Sequence, residues 1–140
     1  DCYLQLGNLG QAAAAYRAVT ELPGTDVTTR SQAGLGLARV LEEQSELAGE
    51  TEEREELLQQ SFVQCMDIVF GRNLRPASEK MDPFWVKEAG LMAGHLAGRL
   101  GLAEQERSVY SRLAKELPDM PLWQAKLNAL QTGPEAPKAP

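Results

Sequence analysis

The chain is poor in the residues from which metal sites, disulfide scaffolds and many catalytic sites are built. It has one histidine, His95, and two cysteines, Cys2 and Cys65, among 140 residues. Two cysteines cannot staple a secreted scaffold, and a single histidine leaves little material for a zinc site. The sequence also has no Cys-x-x-Cys pair and no Asp-rich calcium loop. We therefore expect no metal ion and no cofactor.

Catalytic motifs are missing as well. The sequence has no Gly-x-Ser-x-Gly nucleophile elbow, and neither cysteine stands in a local catalytic signature. Glu88 is the one carboxylate whose spacing lets it share a helix face with His95, and a general base also needs a substrate pocket. We expect a surface or groove position for His95, a buried structural role for Cys65, and no enzyme activity.

An excess of basic residues and a long apolar run are also absent. The net charge is −6 and the isoelectric point is about 4.8, so nucleic acid is excluded as a general partner. The most apolar long stretch, residues 89–100, is shorter than the roughly 20 residues that a membrane span needs, and it contains His95 and Arg99. We therefore expect no insertion into a membrane.

Apolar residues recur instead at helical spacing along almost the whole chain, without any alternating strand pattern. This predicts an all-α fold in one domain, residues 1–131, with short connections that favour antiparallel hairpins. Seven helical segments are predicted, at 1–6, 9–22, 27–46, 52–70, 83–100, 103–117 and 120–131. Three prolines in the last eight residues favour a flexible Pro-rich tail over 132–140.

Residues that cap or end helices support these boundaries. Asp26 and Asp82 each precede a helical stretch, where a carboxylate accepts bonds from the first free backbone amides. Pro83 suits a first helical turn. Thr51 is the expected cap of the next helix after Gly49, and Gly101 is expected to separate two helices.

One spaced set of residues occurs twice. A Gly-Tyr-Pro set at 7, 16 and 23 recurs at 101, 110 and 118, and both prolines follow Glu-Leu. Repetition within one chain argues for repeated helical hairpins, because a single hairpin cannot bury its apolar stripe without a neighbour.

At these residues the chain resembles the tetratricopeptide repeat (TPR) family, in which small residues mark the close contacts of each hairpin and proline marks its end. Gly7, Ala12, Tyr16 and Pro23 match the second half of one repeat. Leu-Gly at 35–36 matches the first helix of a second repeat, and Ala-Gly at 93–94 that of a third. The resemblance implies a short TPR-like α-solenoid over about residues 1–130, with the last helix as its cap.

Two details of the resemblance stay open. The Ala-Gly-Leu runs at 33–35 and 89–91 offer a second register for the second and third repeats. If Gly7 is a hairpin turn, the first repeat begins upstream of Asp1. The Glu-Leu-Pro endings are similar to those of bacterial TPR arrays, and the cell envelope, the periplasm and the cytoplasm all remain open as locations.

The first helix of each TPR hairpin lines a concave groove that binds peptides or helices of other proteins. The resemblance therefore implies a protein or peptide partner held in such a groove. The groove positions are Arg30, Leu37, Glu88, Leu91, His95 and Arg99. Arg30 and Arg99 are expected to grip a partner carboxylate, because a guanidinium binds it with two parallel hydrogen bonds. Leu37 has an alternative role as ordinary core.

Three further features have both a structural and a functional interpretation. Glycines at 90, 94 and 98 share one helix face and follow no strand, which favours close helix packing over a phosphate loop. The acidic run 42–56 is expected to be a solvated, mobile connection, or else a docking patch for a basic partner. Trp85 and Trp123 are expected to pack in the core and the cap, and either would be an interface anchor if exposed.

The sequence thus favours a non-enzymatic scaffold or adaptor for protein–protein interaction. One alternative is a spacer or self-association segment of a longer array without its own ligand, which includes a homo-oligomer. Another is a helical domain attached to an enzyme that is encoded upstream.

Overall fold

The computed structural model describes residues 2–75 and 78–131, and all regular structure in these residues is helical. The all-α prediction is therefore confirmed. The helices are α1 (Cys2–Glu21), α2 (Val27–Leu47), α3 (Thr51–Val69), α4 (Pro83–Leu100), α5 (Ala103–Glu116) and α6 (Leu122–Gln131). The predicted tail, 132–140, lies outside the described residues.

Helix α1 corrects the prediction of two short segments at 1–6 and 9–22. It continues without a break through Gly7 and Gly10, and both glycines have open space around the position of a Cβ. A glycine inside a helix costs about 1 kcal/mol relative to alanine, which does not by itself end a helix. The four alanines at 12–15 are the best helix formers and extend the same helix.

Helices α2 and α4 begin in the same way, as predicted. The side chain of Asp26 accepts the backbone N–H of Thr29 at 2.8 Å, and that of Asp82 accepts the N–H of Phe84 at 3.0 Å. Hydrogen bonds from the side chain and the backbone amide of Thr29 hold the pKa of Asp26 below its ordinary value. The expected cap at Thr51 is wrong, because Thr51 is the first helical residue of α3 and the flanking Glu50 makes no side-chain cap bond.

Each helix packs against the next along the chain, and α2 also contacts α4 while α3 contacts α5. Within each of two pairs the helices are antiparallel. In α2–α3, the Ser61 hydroxyl donates to the carbonyl of Ala38 at 2.7 Å. The turn from α4 to α5 closes at Gly101, whose φ of 71° is left-handed and suits glycine.

The two pairs bury equivalent positions of their first helices. The capping residues Asp26 and Asp82 stand 56 positions apart, and every buried residue of α4 has a buried counterpart 56 positions earlier in α2. These residues are Arg30, Ala33, Gly34, Leu37, Ala38, Val40 and Leu41 in α2, and Val86, Ala89, Gly90, Ala93, Gly94, Leu96 and Ala97 in α4. Of the two registers left open, the structure supports the one that aligns 33–35 with 89–91.

Contacts with the second helix of each pair agree with this register. A Cβ at Gly34 would meet Ile68 of α3, and a Cβ at Gly90 would meet Leu113 of α5. The larger core cluster joins α2 to α6, and a smaller one around Leu37 and Leu41 joins α2 to Ala13 of α1. The described residues therefore form a succession of packed helices in which α2 and α4 bury an equivalent set of positions.

Candidate functional site

A groove of about 450 Å³ lies where α4, α5 and α6 meet, and we call it the α4 groove. Helix α4 supplies Leu91, His95 and Arg99, α5 supplies Glu106 and Tyr110, and α6 supplies Lys126. Three of the six predicted groove residues therefore line one surface depression, and they do so because 91, 95 and 99 fall on one helix face.

Glycines form the floor of the α4 groove. A Cβ at Gly94 would lie 2.2 Å from the Tyr110 hydroxyl oxygen, so only glycine lets this ring lie against α4. Close packing is confirmed for Gly90 and Gly94, whereas a Cβ at Gly98 would meet only Glu106, at 3.8 Å. The Tyr110 ring also stacks on Trp123, with centroids 6.4 Å apart.

The hydroxyl of Tyr110 donates to the Glu106 carboxylate at 3.4 Å. Burial, together with the negative charge of Glu106, raises the pKa of Tyr110 to about 12. The groove therefore contains a neutral phenol at physiological pH. It presents a hydrogen-bonding group and an aromatic face, not a nucleophile.

Ion pairs with α2 hold the basic end of the groove. Arg99 donates to Glu42 at 3.0 Å and to Glu46 at 3.2 Å, and His95 Nε2 lies 3.9 Å from Glu42. The first part of the acidic run thus belongs to α2 and is paired with α4, which corrects the prediction of a mobile connection there. The rest of the run, apart from residues 48–50, forms the start of α3.

Glu88 lies nearer the start of α4. Its carboxylate is 3.9 Å from Arg39 of α2 and 3.6 Å from Lys87. It lies on the exposed side of the α2–α4 contact, one to two turns before Leu91 and His95, and does not line the α4 groove.

Arg30 lies elsewhere. Its side chain is 3% exposed, and its guanidinium donates to the carbonyls of Asn73 and Thr25 and pairs with Glu79. The Arg75 amide, followed by Arg30, keeps the pKa of Glu79 below its ordinary value. Arg30 therefore fastens the connection between α3 and α4, instead of facing a partner as expected, because the guanidinium finds its acceptors within the chain.

Leu37 is also absent from the groove. It is 1% exposed and packs with Ala13, Val40 and Leu41 between α1 and α2. The alternative role as ordinary core is the one that the structure supports.

The predictions for the other unusual residues are confirmed or refined. Cys65 is buried with a free thiol, and burial raises its pKa to about 12. Trp123 is fully buried, and its indole N–H has no hydrogen-bond partner among the described residues. Trp85 is only half-buried and packs edge-to-face on Phe84, with centroids 4.8 Å apart.

Tyr110, Glu106 and Lys126 line the α4 groove but are not among the six residues that the sequence predicts for it. Tyr110 carried a usable signal, since its spacing from Gly101 marked the repeat. Lys126 carried none, because the angle at which α6 crosses α5 decides where its side chain lies.

The equivalent leucines of α2 and α4 differ in burial. Leu35 and Leu91 occupy the same place in the 56-residue register. Leu35 is fully buried in the core that α4 shares, whereas Leu91 is 36% exposed at the edge of the α4 groove. Helix α4 packs beside α2 and covers Leu35. No described helix packs beside α4 in the equivalent position, so Leu91 stays partly exposed.

The carboxylate nearest to His95 is 3.9 Å away, and the His95 side chain is 63% exposed. No group of three or more His, Cys, Asp or Glu side chains in residues 2–75 and 78–131 is placed to hold a metal ion. In the same residues, no helix combines the length and apolar character needed to cross a bilayer.

Comparison of the chain with protein-family models, with curated proteins and with solved structures finds no match. The resemblance to TPR proteins therefore rests on the residues named above and on nothing outside the chain.

Proposed function

We propose that the chain is a TPR-like segment of helical hairpins that binds a partner protein in the α4 groove and catalyses no reaction itself. The observation that carries this proposal is the contrast between Leu35 and Leu91. The register that buries one leucine beneath a neighbouring helix leaves its equivalent open, so a helix or extended segment of a partner can cover it.

The succession of contacts supports a TPR-like arrangement. In such arrays the first helix of a hairpin packs on its own second helix and on the first helix of the next hairpin. Helices α2 and α4 meet in this way, and α3 meets α5. Helix α6 packs only on α5 among the described helices, as a cap on one side of the last pair would.

The groove also favours a particular chemistry in the partner. Leu91 offers an apolar contact, while His95 and Lys126 stand beside it as donors. Arg99 already forms ion pairs with Glu42 and Glu46 of its own chain. We expect the bound segment to place an apolar side chain on Leu91 and a carboxylate towards Lys126, where a charge-assisted bond forms.

Selection of peptides from a random display library on the folded chain tests this proposal. Selected peptides are then titrated into the wild type and into the Leu91→Asp variant, with Val63→Asp as the matched control. Val63 is an exposed apolar residue of α3 outside the groove, with 48% of its surface accessible. We expect at least a tenfold loss of affinity for Leu91→Asp and less than a twofold change for Val63→Asp.

A second pair of variants tests the charge. Lys126→Glu should weaken binding at least fivefold, while Lys115→Glu on the exposed side of α5 should not. Circular dichroism and urea unfolding establish that each variant is folded. Failure to select any peptide, or equal losses at the paired sites, would contradict groove binding and favour the alternative of a spacer or self-association segment.

A further inference from the structure

A second depression, which we call the arginine pocket, lies where α1, α2 and α3 meet the connection between α3 and α4. It has a volume of about 330 Å³ and shares no lining residue with the α4 groove. Arg30 of α2 lines it, together with Arg72 and Arg75 of the connection. Three guanidiniums therefore line one pocket in a chain whose net charge is −6.

The guanidinium of Arg75 is held in place by uncharged acceptors. It donates to the carbonyl of Thr20 at 2.6 Å and to that of Leu22 at 2.8 Å, which are free at the end of α1. These bonds fix the side chain without neutralising its charge. The nearby Glu79 carboxylate accepts instead the backbone amide of Arg75 and the guanidinium of Arg30. Among the described residues, three guanidiniums at this place thus stand against the carboxylates of Glu79 and one aspartate.

That aspartate is Asp67, which is the partner of Arg72 in a loose ion pair. The guanidinium of Arg72 lies 3.4 Å from Asp67, and the two side chains are 57% and 38% exposed. The guanidinium also lies over the ring of Phe70, 5.6 Å from its centroid. An exposed ion pair of this kind contributes about 1 kcal/mol or less, so a ligand with more charge can replace Asp67 beside Arg72.

The arginine pocket also has an apolar wall. Ile68 of α3 and Leu74 of the connection line it, and Ile68 packs on Gly34 of α2, where a Cβ would lie 3.5 Å from its side chain. Thr20 and Gln64 add uncharged polar groups. The volume of the pocket lies at the lower end of the range for small-molecule sites, about 300–1,000 Å³. The lining therefore suits a small ligand that joins an anionic group to an apolar one.

We propose that the arginine pocket binds a small organic phosphate, which is a phosphate monoester with an apolar organic group. The phosphate accepts charge-assisted hydrogen bonds from Arg72 and Arg75, and the organic group packs on Ile68 and Leu74. Arg30 does not contact the ligand, because its donors are used within the chain, but it positions the connection and adds positive charge. This site goes beyond the proposed binding of a partner in the α4 groove, and neither depends on the other.

The charges of the pocket favour a phosphate over a carboxylate. A phosphate monoester carries nearly two negative charges at neutral pH and has three acceptor oxygens, which match two guanidiniums. A carboxylate has one charge, which is what Asp67 already offers to Arg72. Exchange of Asp67 for another single charge gives no electrostatic gain, whereas a phosphate compensates Arg72 and Arg75 together.

NMR titration of the nitrogen-15-labelled full chain tests the proposal, at neutral pH and at a fixed ionic strength because salt screens exposed charges. The probe is phenyl phosphate. Inorganic phosphate has a similar charge without the ring, and benzenesulfonate has the ring and three oxygens with a single charge. We expect the amides of Asn73 and Leu74 to shift in a saturable way. Phenyl phosphate should bind at least fivefold more tightly than either of the other two anions.

Two substitutions in the loose ion pair should change the affinity for phenyl phosphate in opposite directions. Arg72→Gln should weaken binding at least fivefold, because it removes a donor and a charge. Asp67→Asn should tighten binding at least twofold, because it removes the competing carboxylate. The matched controls are Arg107→Gln and Glu104→Gln on α5, an exposed pair of similar separation, 3.3 Å, which should leave the affinity unchanged. Circular dichroism and urea unfolding establish that each variant is folded.

Three results would overturn the proposal. The first is the absence of a saturable shift with millimolar phenyl phosphate. The second is equal affinity for the three anions, since it would mean that neither the second charge nor the apolar wall is used. The third is an equal response of Arg72→Gln and Arg107→Gln, or weaker binding by Asp67→Asn, which would place the anion elsewhere. Peptide selection on the α4 groove can succeed or fail without changing any of these results.

Discussion

The α2–α3 and α4–α5 pairs bury the same positions but fill them with different chemistry. Ile68 packs on Gly34 at an ordinary distance in the first pair, whereas Leu113 packs on Gly90 so closely that no Cβ fits in the second. The buried start of α2 is Arg30, and its equivalent in α4 is Val86. The same buried position is therefore filled by a charged side chain in one pair and by an apolar side chain in the other.

The difference follows from what each helix start must hold. The connection between α3 and α4 runs past the start of α2, where Arg30 binds its carbonyls and Glu79. Among the described residues, no irregular segment is held at the start of α4, and the apolar Val86 occupies the equivalent buried position there. The buried charge of Arg30 therefore stands where an irregular segment is held in place.

Removal of Arg30 should have the largest effect. Arg30→Ala leaves the Asn73 carbonyl without its donor and Glu79 without its guanidinium partner, which should lower the free energy of unfolding by about 3 kcal/mol. The equivalent Val86→Ala should cost about 2 kcal/mol, through lost burial and a small cavity. Urea unfolding followed by circular dichroism measures both. A loss below 1 kcal/mol for Arg30→Ala would show that the guanidinium is not a structural anchor.

Alanine at the two equivalent glycines should have opposite effects. Gly90→Ala places a methyl group 2.3 Å from the buried Leu113 and should destabilise the chain by about 1–2 kcal/mol, even after the helical gain of alanine. Gly34→Ala meets Ile68 at 3.5 Å and should be neutral or stabilise by up to about 1 kcal/mol. Thermal unfolding of the two variants gives the sign. Equal signs would mean that the two pairs are not packed as described.

The cap of α4 should have a smaller effect. Asp82 accepts the Phe84 amide and also the hydroxyl of Thr28 at 2.7 Å, so it joins the starts of the two equivalent helices. Asp82→Ala should cost about 1 kcal/mol, and Asp82→Ser should recover most of it by restoring a cap. An Asp82→Ser variant as unstable as Asp82→Ala would assign the loss to the Thr28 bond instead.

Acid should loosen the start of α2 before the start of α4. The pKa values of Glu79 and Asp26 are lowered in the folded chain, chiefly by the Arg75 amide and by Thr29 respectively. A lowered folded pKa contributes stability that is present above the ordinary values of 4.5 and 3.8, and this stability is lost as the pH falls below them.

Hydrogen exchange between pH 5 and pH 3 measures this loss. After correction for the intrinsic rates, the amides of Arg30 and Arg75 should lose protection first. Glu79→Gln should flatten the dependence, because its side chain no longer titrates. Equal loss of protection across α2 and α4 would contradict the link to these two carboxyl groups.

The presence of the helices was predictable from the sequence because helix formation depends on local signals. The spacing of apolar residues, Asp26, Asp82 and the left-handed Gly101 determined most boundaries. The break at Gly7 was wrong, because glycine permits a turn but does not require one. A helix that continues through Gly7 also keeps the backbone hydrogen bonds that a turn there would break.

The site was only partly predictable, because burial depends on distant parts of the chain. Leu91, His95 and Arg99 share a helix face, so one helix sufficed to place them together. Arg30 has the same residue type as Arg99, and it is buried because its guanidinium contacts Asn73 and Glu79 in the connection between α3 and α4. The sequence pattern around Arg30 shows no trace of these contacts.

The neighbour-to-neighbour packing also determines how the chain can fold. Most contacts join helices that are adjacent in sequence, which is a low contact order and permits rapid folding from any pair. The bonds of Arg30 to Asn73 and of Arg75 to Thr20 are exceptions, since they close loops of 43 and 55 residues. These links should form late, after the helices have assembled, so their loss should speed unfolding much more than it slows folding.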